Sequence, residues 1–387
     1  MSQTLSQIQL LAILPRLSSH LGHAYPYQLS VQRSVESLGW KYFAFFPKRA
    51  DVQAPLGWEP LLANDISSSP KGLFSKILIL LQNIRPFRQI FRRTCKESIV
   101  FIEHFELPHL GSIALSLLFL NARFQFWMLH RYETDGRLFK SYMLRAFHWF
   151  LQRKLGKSNV KFLTDSDLLA MRLSRTLKCN FSVVPIPHTE IREATNRETN
   201  QVLFWWPGGL IREDKGLSTI IKLTRFLREC PSVRIVVSEK MKDFNIDPSQ
   251  CIFVPNYMSR DDYIEWMRKA HLILLPYSAE DYSCRTSGIF VEAISLGSIP
   301  VVTEGTWMAY ELKKFDLREL IVTWKESNLM DQLCLIPGNL KIGQKIEKMR
   351  RQYHEFHSEK GFATQLNLLN KFDCFQKKGH ISASDYK

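Results

Sequence analysis

The chain has 387 residues, 45% hydrophobic and 23% charged, a globular composition far too apolar for a disordered protein. Its formal net charge is +15, and its seven cysteines form no CxxC pair, which excludes a disulfide framework or a zinc site. The longest apolar stretch, Leu110 to Leu120, falls short of the roughly 20 residues of a membrane span, and the opening segment, broken at Pro15 and without a basic flank, does not read as a signal peptide.

Strand and helix signals alternate along the whole chain. In the first half the predicted strands are 9–14, 41–46, 98–103, 124–129, 160–164 and 181–184, with helices over 27–38, 107–120 and 167–177 between them. In the second half the strands are 202–206, 233–238, 251–254, 272–275, 300–303 and 320–323, separated by helices over 217–229, 261–269, 287–296 and 345–357. Such alternation predicts an α/β protein with parallel sheets, and so many strands call for two of them. The run Pro185-Ile186-Pro187-His188 and the polar stretch after it mark the break. The expected organisation is a domain over 1–188, a linker over 189–201, a second domain over 202–372 and a polar tail over 373–387. Both domains read as doubly wound and facing each other, which places a ligand cleft at the carboxyl ends of the strands.

The positive charge is concentrated: residues 71 to 161 hold 16 Lys and Arg against 5 Asp and Glu. The stretches 84–93 and 137–161 dominate, and the second interleaves its cations with Phe139, Tyr142, Phe147, Trp149 and Phe150. A helix of this kind either packs its aromatics inward with solvated cations, or lies on an anionic membrane surface. The absence of any nucleic-acid-binding motif sets nucleic acid aside as a partner. The protein is expected to be cytoplasmic, peripheral at the inner membrane face through these two stretches.

Two loops after strands carry chemistry. In Trp206-Pro207-Gly208-Gly209-Leu210-Ile211-Arg212-Glu213-Asp214-Lys215-Gly216 the paired glycines let backbone approach an anion, and Arg212 and Lys215 supply charge to clamp a diphosphate. From this loop alone, a glycine-rich turn with surface charges is the equal alternative. The second loop holds Arg285, Thr286, Ser287 and Gly288 ahead of a helix carrying Glu292, placed to accept hydrogen bonds from a sugar hydroxyl pair. That helix ends at Gly297, before the strand Pro300-Val301-Val302. The alternative for Glu292 is a solvated helix residue, against which its apolar neighbours Ile289, Phe290 and Val291 point to a buried carboxylate.

The order of Gly-rich loop with Lys215-Gly216, then Glu292-Ala293, then Gly297-x-x-Pro300-Val301-Val302 resembles the nucleotide-sugar domain of GT-B glycosyltransferases, in particular glycosyltransferase family 4. The match covers roughly 202 to 312. The resemblance implies two Rossmann-like domains, and transfer of a sugar from a nucleotide diphosphate sugar to a hydroxyl of a glycan or lipid-linked saccharide. Glu292 would bind the nucleotide ribose and Lys215 the diphosphate, with retention of configuration and without a metal or other cofactor. Two positions depart from the family pattern: Cys284 stands where a second glutamate is usual, and Leu210 where an arginine is. Arg212 and Arg285 are the replacements in a working transferase, and the alternative is a catalytically inert scaffold or a membrane-surface binding protein of the same fold. Donor binding is expected at Gly208, Gly209, Arg285, Thr286, Ser287, Gly288 and Glu292. Catalysis is expected from Lys215, Arg212, Glu292 and His23, the last in the loop after the first strand. Were the reaction inverting, His23 or Glu103 would be its base. Asp165-Ser166-Asp167 resembles a DxD metal motif but is placed to cap the helix that follows it.

Overall fold

The computed structural model describes residues 7–19, 24–63, 72–133, 138–187, 201–207 and 211–376. They fall into two compact units, one formed by the chain up to Pro187 together with Glu359 onward, the other by the chain between. The linker expected over 189–201 lies, except for its last residue, outside the described residues.

The first unit runs β1 (Gln9–Ile13), α1 (Ala24–Glu36), β2 (Lys41–Pro47), β3 (Trp58–Leu62), α2 (Leu73–Arg92), β4 (Ser98–Glu103), α3 (Leu107–Leu118), β5 (Gln125–His130), α4 (Leu138–Leu155), β6 (Val160–Thr164), α5 (Asp167–Leu177) and β7 (Phe181–Val183). All strands pair parallel, in the order β3-β2-β1-β4-β5-β6-β7. The central strands read as continuous apolar runs because both of their faces are covered; every residue of β4 is buried. Right-handed crossovers then place α1 on one face of the sheet and α2 to α5 on the other. Sequence periodicity missed β3, whose Pro60 is a strand breaker except at a sheet edge, which is where β3 lies. It also missed α2, which carries Pro86 inside the helix.

The second unit runs β8 (Val202–Trp205), α6 (Leu217–Phe226), β9 (Val233–Ser238), β10 (Cys251–Val254), α7 (Arg260–Lys269), β11 (Leu272–Leu275), α8 (Ala279–Tyr282), α9 (Gly288–Ser295), β12 (Ile299–Thr303), α10 (Trp307–Lys314), β13 (Ile321–Val322), α11 (Leu329–Leu335) and α12 (Leu340–Phe356). Its parallel sheet has the order β10-β9-β8-β11-β12-β13. Strand order reverses between β8 and β11, so the crevice of this unit opens at their carboxyl ends. The six strands expected here are all present, and β9, β10 and β11 match residue for residue.

The last helix, α13 (Glu359–Gln376), corrects the expected boundary at 372: it belongs to the first unit. Its apolar face buries Phe362 and Leu366 and it packs on α1. Arg33 pairs with Glu359 at 2.6 Å, and the Gln125 amide donates to Asn370 Oδ1 at 2.9 Å.

Candidate functional site

The loops that leave β8 and β11 are stitched together at the strand-order reversal. The Ser278 N–H donates to the Asp214 carbonyl at 2.9 Å, and the Trp206 indole N–H donates to the Lys215 carbonyl at 3.2 Å. Gly216 has φ +87°, and a Cβ there would sit 2.3 Å from the Pro276 carbonyl oxygen. Only glycine fits, on both conformational and steric grounds. This fixes Lys215 immediately beside the β11 loop.

Three cations gather there. Arg212 pairs with Asp214 at 2.7 Å, and the Arg285 guanidinium lies 4.8 Å from the centre of the Tyr282 ring, which packs on Tyr277. Burial first, and then the nearby Arg212 and Arg285, hold the Lys215 ammonium down at about 8, with Asp214 offsetting part of the fall. A lysine destabilised by two guanidiniums sits in a field that favours an anion. The side chain of Ser287 caps α9 by accepting from the Phe290 N–H at 3.3 Å, and Thr286 is half-buried beside it. The positive end of that helix therefore opens next to Arg285. Cys284 is buried.

Glu292 is not a solvated helix residue. It is buried on α9, with Oε1 accepting from Arg260 at 2.7 Å and Oε2 from the Tyr263 hydroxyl at 3.0 Å. Burial and then the Glu292 charge raise the Tyr263 phenol well above its ordinary value, so Tyr263 holds its proton and donates it. The Tyr263 ring meets Trp205 edge-on at 5.3 Å. Sequence reasoning missed Arg260 and Tyr263. Their only signal is position: they open a helix capped by Ser259 just after β10, at the same strand ends. Gly208, Gly209 and Leu210 lie outside the described residues, as does His23.

A second polar cluster occupies the carboxyl ends of β4, β5 and β6 in the first unit. Glu103 is buried and accepts from Arg131 at 2.9 Å and from the Gln28 amide, while Arg131 also reaches Asp165 at 3.1 Å. The Arg131 guanidinium stacks 4.5 Å from the centre of the Tyr27 ring. Burial raises the Glu103 carboxyl and Arg131 opposes that rise. The DxD-like run is used up locally: Asp165 is ion-paired, Ser166 caps α5 by accepting from the Leu169 N–H, and the Asp167 carboxylate accepts from the Leu168 N–H.

No protein-family profile matches the chain, and no curated protein matches it by sequence. Solved structures do match over nearly the full length. A UDP-forming α,α-trehalose-phosphate synthase from Burkholderia vietnamiensis superposes with a TM-score of 0.68 at 10% identity, covering 97% of this chain and all of that one. Sucrose-phosphate synthase from Thermosynechococcus elongatus gives 0.66 at 12% identity over 96% of this chain and all of its own. AviGT4, a glycosyltransferase of avilamycin A biosynthesis, gives 0.56 at 13% over 94% of this chain and 97% of its own. With two parallel Rossmann-like sheets of seven and six strands, the chain has the GT-B fold.

Proposed function

We propose that the protein is a glycosyltransferase that moves a sugar from a nucleotide diphosphate sugar to a hydroxyl acceptor. The observation that carries this reading is the convergence of Arg212, Lys215 and Arg285 at the strand-order reversal of the second unit, with Lys215 depressed to about 8. Cleavage of the anomeric C–O bond leaves a nucleoside diphosphate with increased charge on its terminal phosphate. Cations and the amides opening α9 stabilise that charge where it develops, which lowers the barrier. Glu292, oriented by Arg260 and Tyr263, is the carboxylate this reading assigns to the ribose hydroxyls. Solved structures of the same fold support the donor class: one from E. coli is bound with UDP-2-fluoro glucose, superposing with a TM-score of 0.61 at 11% identity.

The finer terms of the proposal are a donor site in the second unit, acceptor recognition by the first, retention of configuration, and charge compensation by side chains without a metal. The acceptor is a glycan or a lipid-linked saccharide. A thermal-shift panel of UDP, GDP, ADP, CMP and their sugars, with and without EDTA, tests it. A rise with one diphosphate, insensitive to EDTA and lost in Lys215→Ala, is the expected result. No rise with any of them sinks the proposal, and a rise abolished by EDTA sinks its metal-free form.

A further inference from the structure

The helical layer α2 to α4 on one face of the first unit is finished in a way that packing within the fold does not require. On α4 the inward residues are Leu144, Phe147, His148, Leu151 and Leu155. The exposed residues recur at 139, 142, 143, 146, 149 and 153, which is one face of the helix. That face is Phe139, Tyr142, Met143, Ala146 and Trp149, closed by Arg153; Phe139 is 71% exposed and Trp149 66%. Of the two arrangements open to this helix, inward aromatics with solvated cations fails for Phe139, Tyr142 and Trp149 and holds for Phe147. On α2 the exposed side is Phe74, Ile77, Leu78 and Leu81 in its first half and Arg85 and Arg92 in its second.

The helices lie side by side and run the same way. Ser112 Oγ donates to the Leu80 carbonyl at 2.7 Å, Ser116 Oγ to the Ile84 carbonyl at 2.9 Å, and Lys154 Nζ to the Leu118 carbonyl at 2.9 Å. At the end of α3, Phe119 is 83% exposed beneath the Arg88 guanidinium. The apolar side chains of α2 and α4 thereby belong to one surface, larger than scattered single exposures would make.

Its charge is one-sided. Lys76, Arg85, Arg88 and Arg92 stand on α2, and Lys140, Arg145, Arg153 and Lys154 on α4, with no Asp or Glu on α2, α3 or α4. A groove of about 580 Å³ lined by Lys48, Arg49, Gln82, Arg85 and Gln89 opens beside α2, adding cations next to its apolar stripe. Two copies of this surface laid together would oppose cation to cation, which argues against self-association. Nucleic acid would use the cations but gives no role to Ile77, Leu78, Leu81 and Met143. An anionic lipid bilayer uses both: headgroup phosphates for the Lys and Arg, and the acyl boundary for the aliphatic and aromatic side chains, with Trp and Tyr favoured at that boundary. We infer that the α2–α4 layer docks flat on an anionic membrane surface. Among the described residues no helix is long and apolar enough to cross the bilayer, and the docking is one of lying on it. The inference stands on the first unit alone and does not depend on the transfer reaction.

Co-sedimentation of the full chain with phosphatidylcholine vesicles, and with vesicles containing about one third phosphatidylglycerol, tests it. The expected partition is at least about tenfold higher on the anionic vesicles and falls as salt is raised. Phe139→Ser with Trp149→Ser should lower it at least about tenfold, and so should Phe74→Ser with Leu81→Ser on the other helix. Both pairs are exposed, so unchanged thermal midpoints and an unchanged response to nucleotide diphosphates separate lost docking from lost folding. Equal partition onto both vesicle types, or binding that survives both pairs of substitutions, overturns the inference. So does binding to an RNA oligonucleotide that is as tight as to anionic vesicles and indifferent to the serine substitutions.

Discussion

Lys215→Ala is the sharpest probe of the donor site, because the wild-type lysine carries its own signature. In the free protein its ammonium is depressed to about 8 by burial, Arg212 and Arg285. A diphosphate arriving at the three cations favours the charged form and raises that value, so binding takes up a proton wherever the free lysine is already neutral. Affinity for the diphosphate should therefore fall as pH rises above about 8, approaching a tenfold loss per pH unit until the pKa of the bound state is reached. Folding stability has the opposite slope. Unfolded, the lysine titrates near its ordinary value of 10.5, so between about 8 and that value the unfolded chain binds more protons and the free protein gains stability with rising pH. Lys215→Ala should abolish both slopes over this window and lower kcat/KM at least about a hundredfold, roughly 2.7 kcal/mol of transition-state stabilisation. Calorimetric titration with UDP or its counterpart, in two buffers of different ionisation enthalpy at pH 8.5, reads the proton uptake directly. Uptake that is unchanged in the alanine variant, or near-normal turnover, would show that Lys215 is not the diphosphate clamp.

Three other substitutions test separate parts of the molecule. Glu292→Gln should weaken a nucleoside diphosphate by about tenfold while leaving inorganic pyrophosphate unaffected, since it removes a charged acceptor for hydroxyls and no cation; equal weakening of both ligands would show that Glu292 acts only through the loop geometry. Gly216→Ala forces a Cβ to within 2.3 Å of the Pro276 carbonyl at φ +87°, and should cost about 2 kcal/mol or more and lower the Tm by roughly 5 °C. An unchanged Tm in that variant would mean the two loops separate freely. Arg131→Met leaves Glu103 and Asp165 buried without their shared cation, a loss of about 3–5 kcal/mol at neutral pH. The raised Glu103 carboxyl protonates as pH falls, so the deficit should shrink towards pH 5; chemical denaturation at pH 5 and 7.5 measures it, and an equal deficit at both would place the damage in packing.

The fold was legible where strands are buried on both faces and bounded by turn residues. β4, β6, β9, β10 and β11 emerge residue for residue from their β-branched and aromatic runs. What failed was each rule met at its exception: Pro60 in an edge strand, and Pro86 in a long helix held by its neighbours. The placement of α13 with the first unit was not legible at all, because periodicity gives a helix its face but not its partner. In the candidate site, Lys215, Arg212 and Arg285, singled out on two separate loops, lie together because loops after parallel strands converge by topology. Sequence spacing missed Arg260 and Tyr263, whose role depends on the distance between α7 and α9. The aromatics of α4 stayed open between two readings for a related reason: a helix with Phe, Tyr and Trp around most of its circumference has no unique inward face until its neighbours are known.

The two departures from the glycosyltransferase family 4 pattern bear on whether the chain works or merely keeps the shape. Leu210 removes a cation from the loop after β8, yet Arg212 from that loop and Arg285 from the loop after β11 both act on Lys215. What a leaving diphosphate needs is positive potential at one place, and that is a sum over side chains and not a property of any one position. Cys284, which is buried, stands where a glutamate is usual, so that position brings no carboxylate beside Arg285. Losing a carboxylate at that point raises the local potential, in the same direction as bringing in a second arginine. Two guanidiniums add their repulsion to the burial that depresses Lys215, and that repulsion is unfavourable for the empty protein. A scaffold with nothing to bind would relax that repulsion with a single neutral substitution in any of the three, whereas an anion site needs it, because the repulsion relieved on binding adds to the affinity for the ligand.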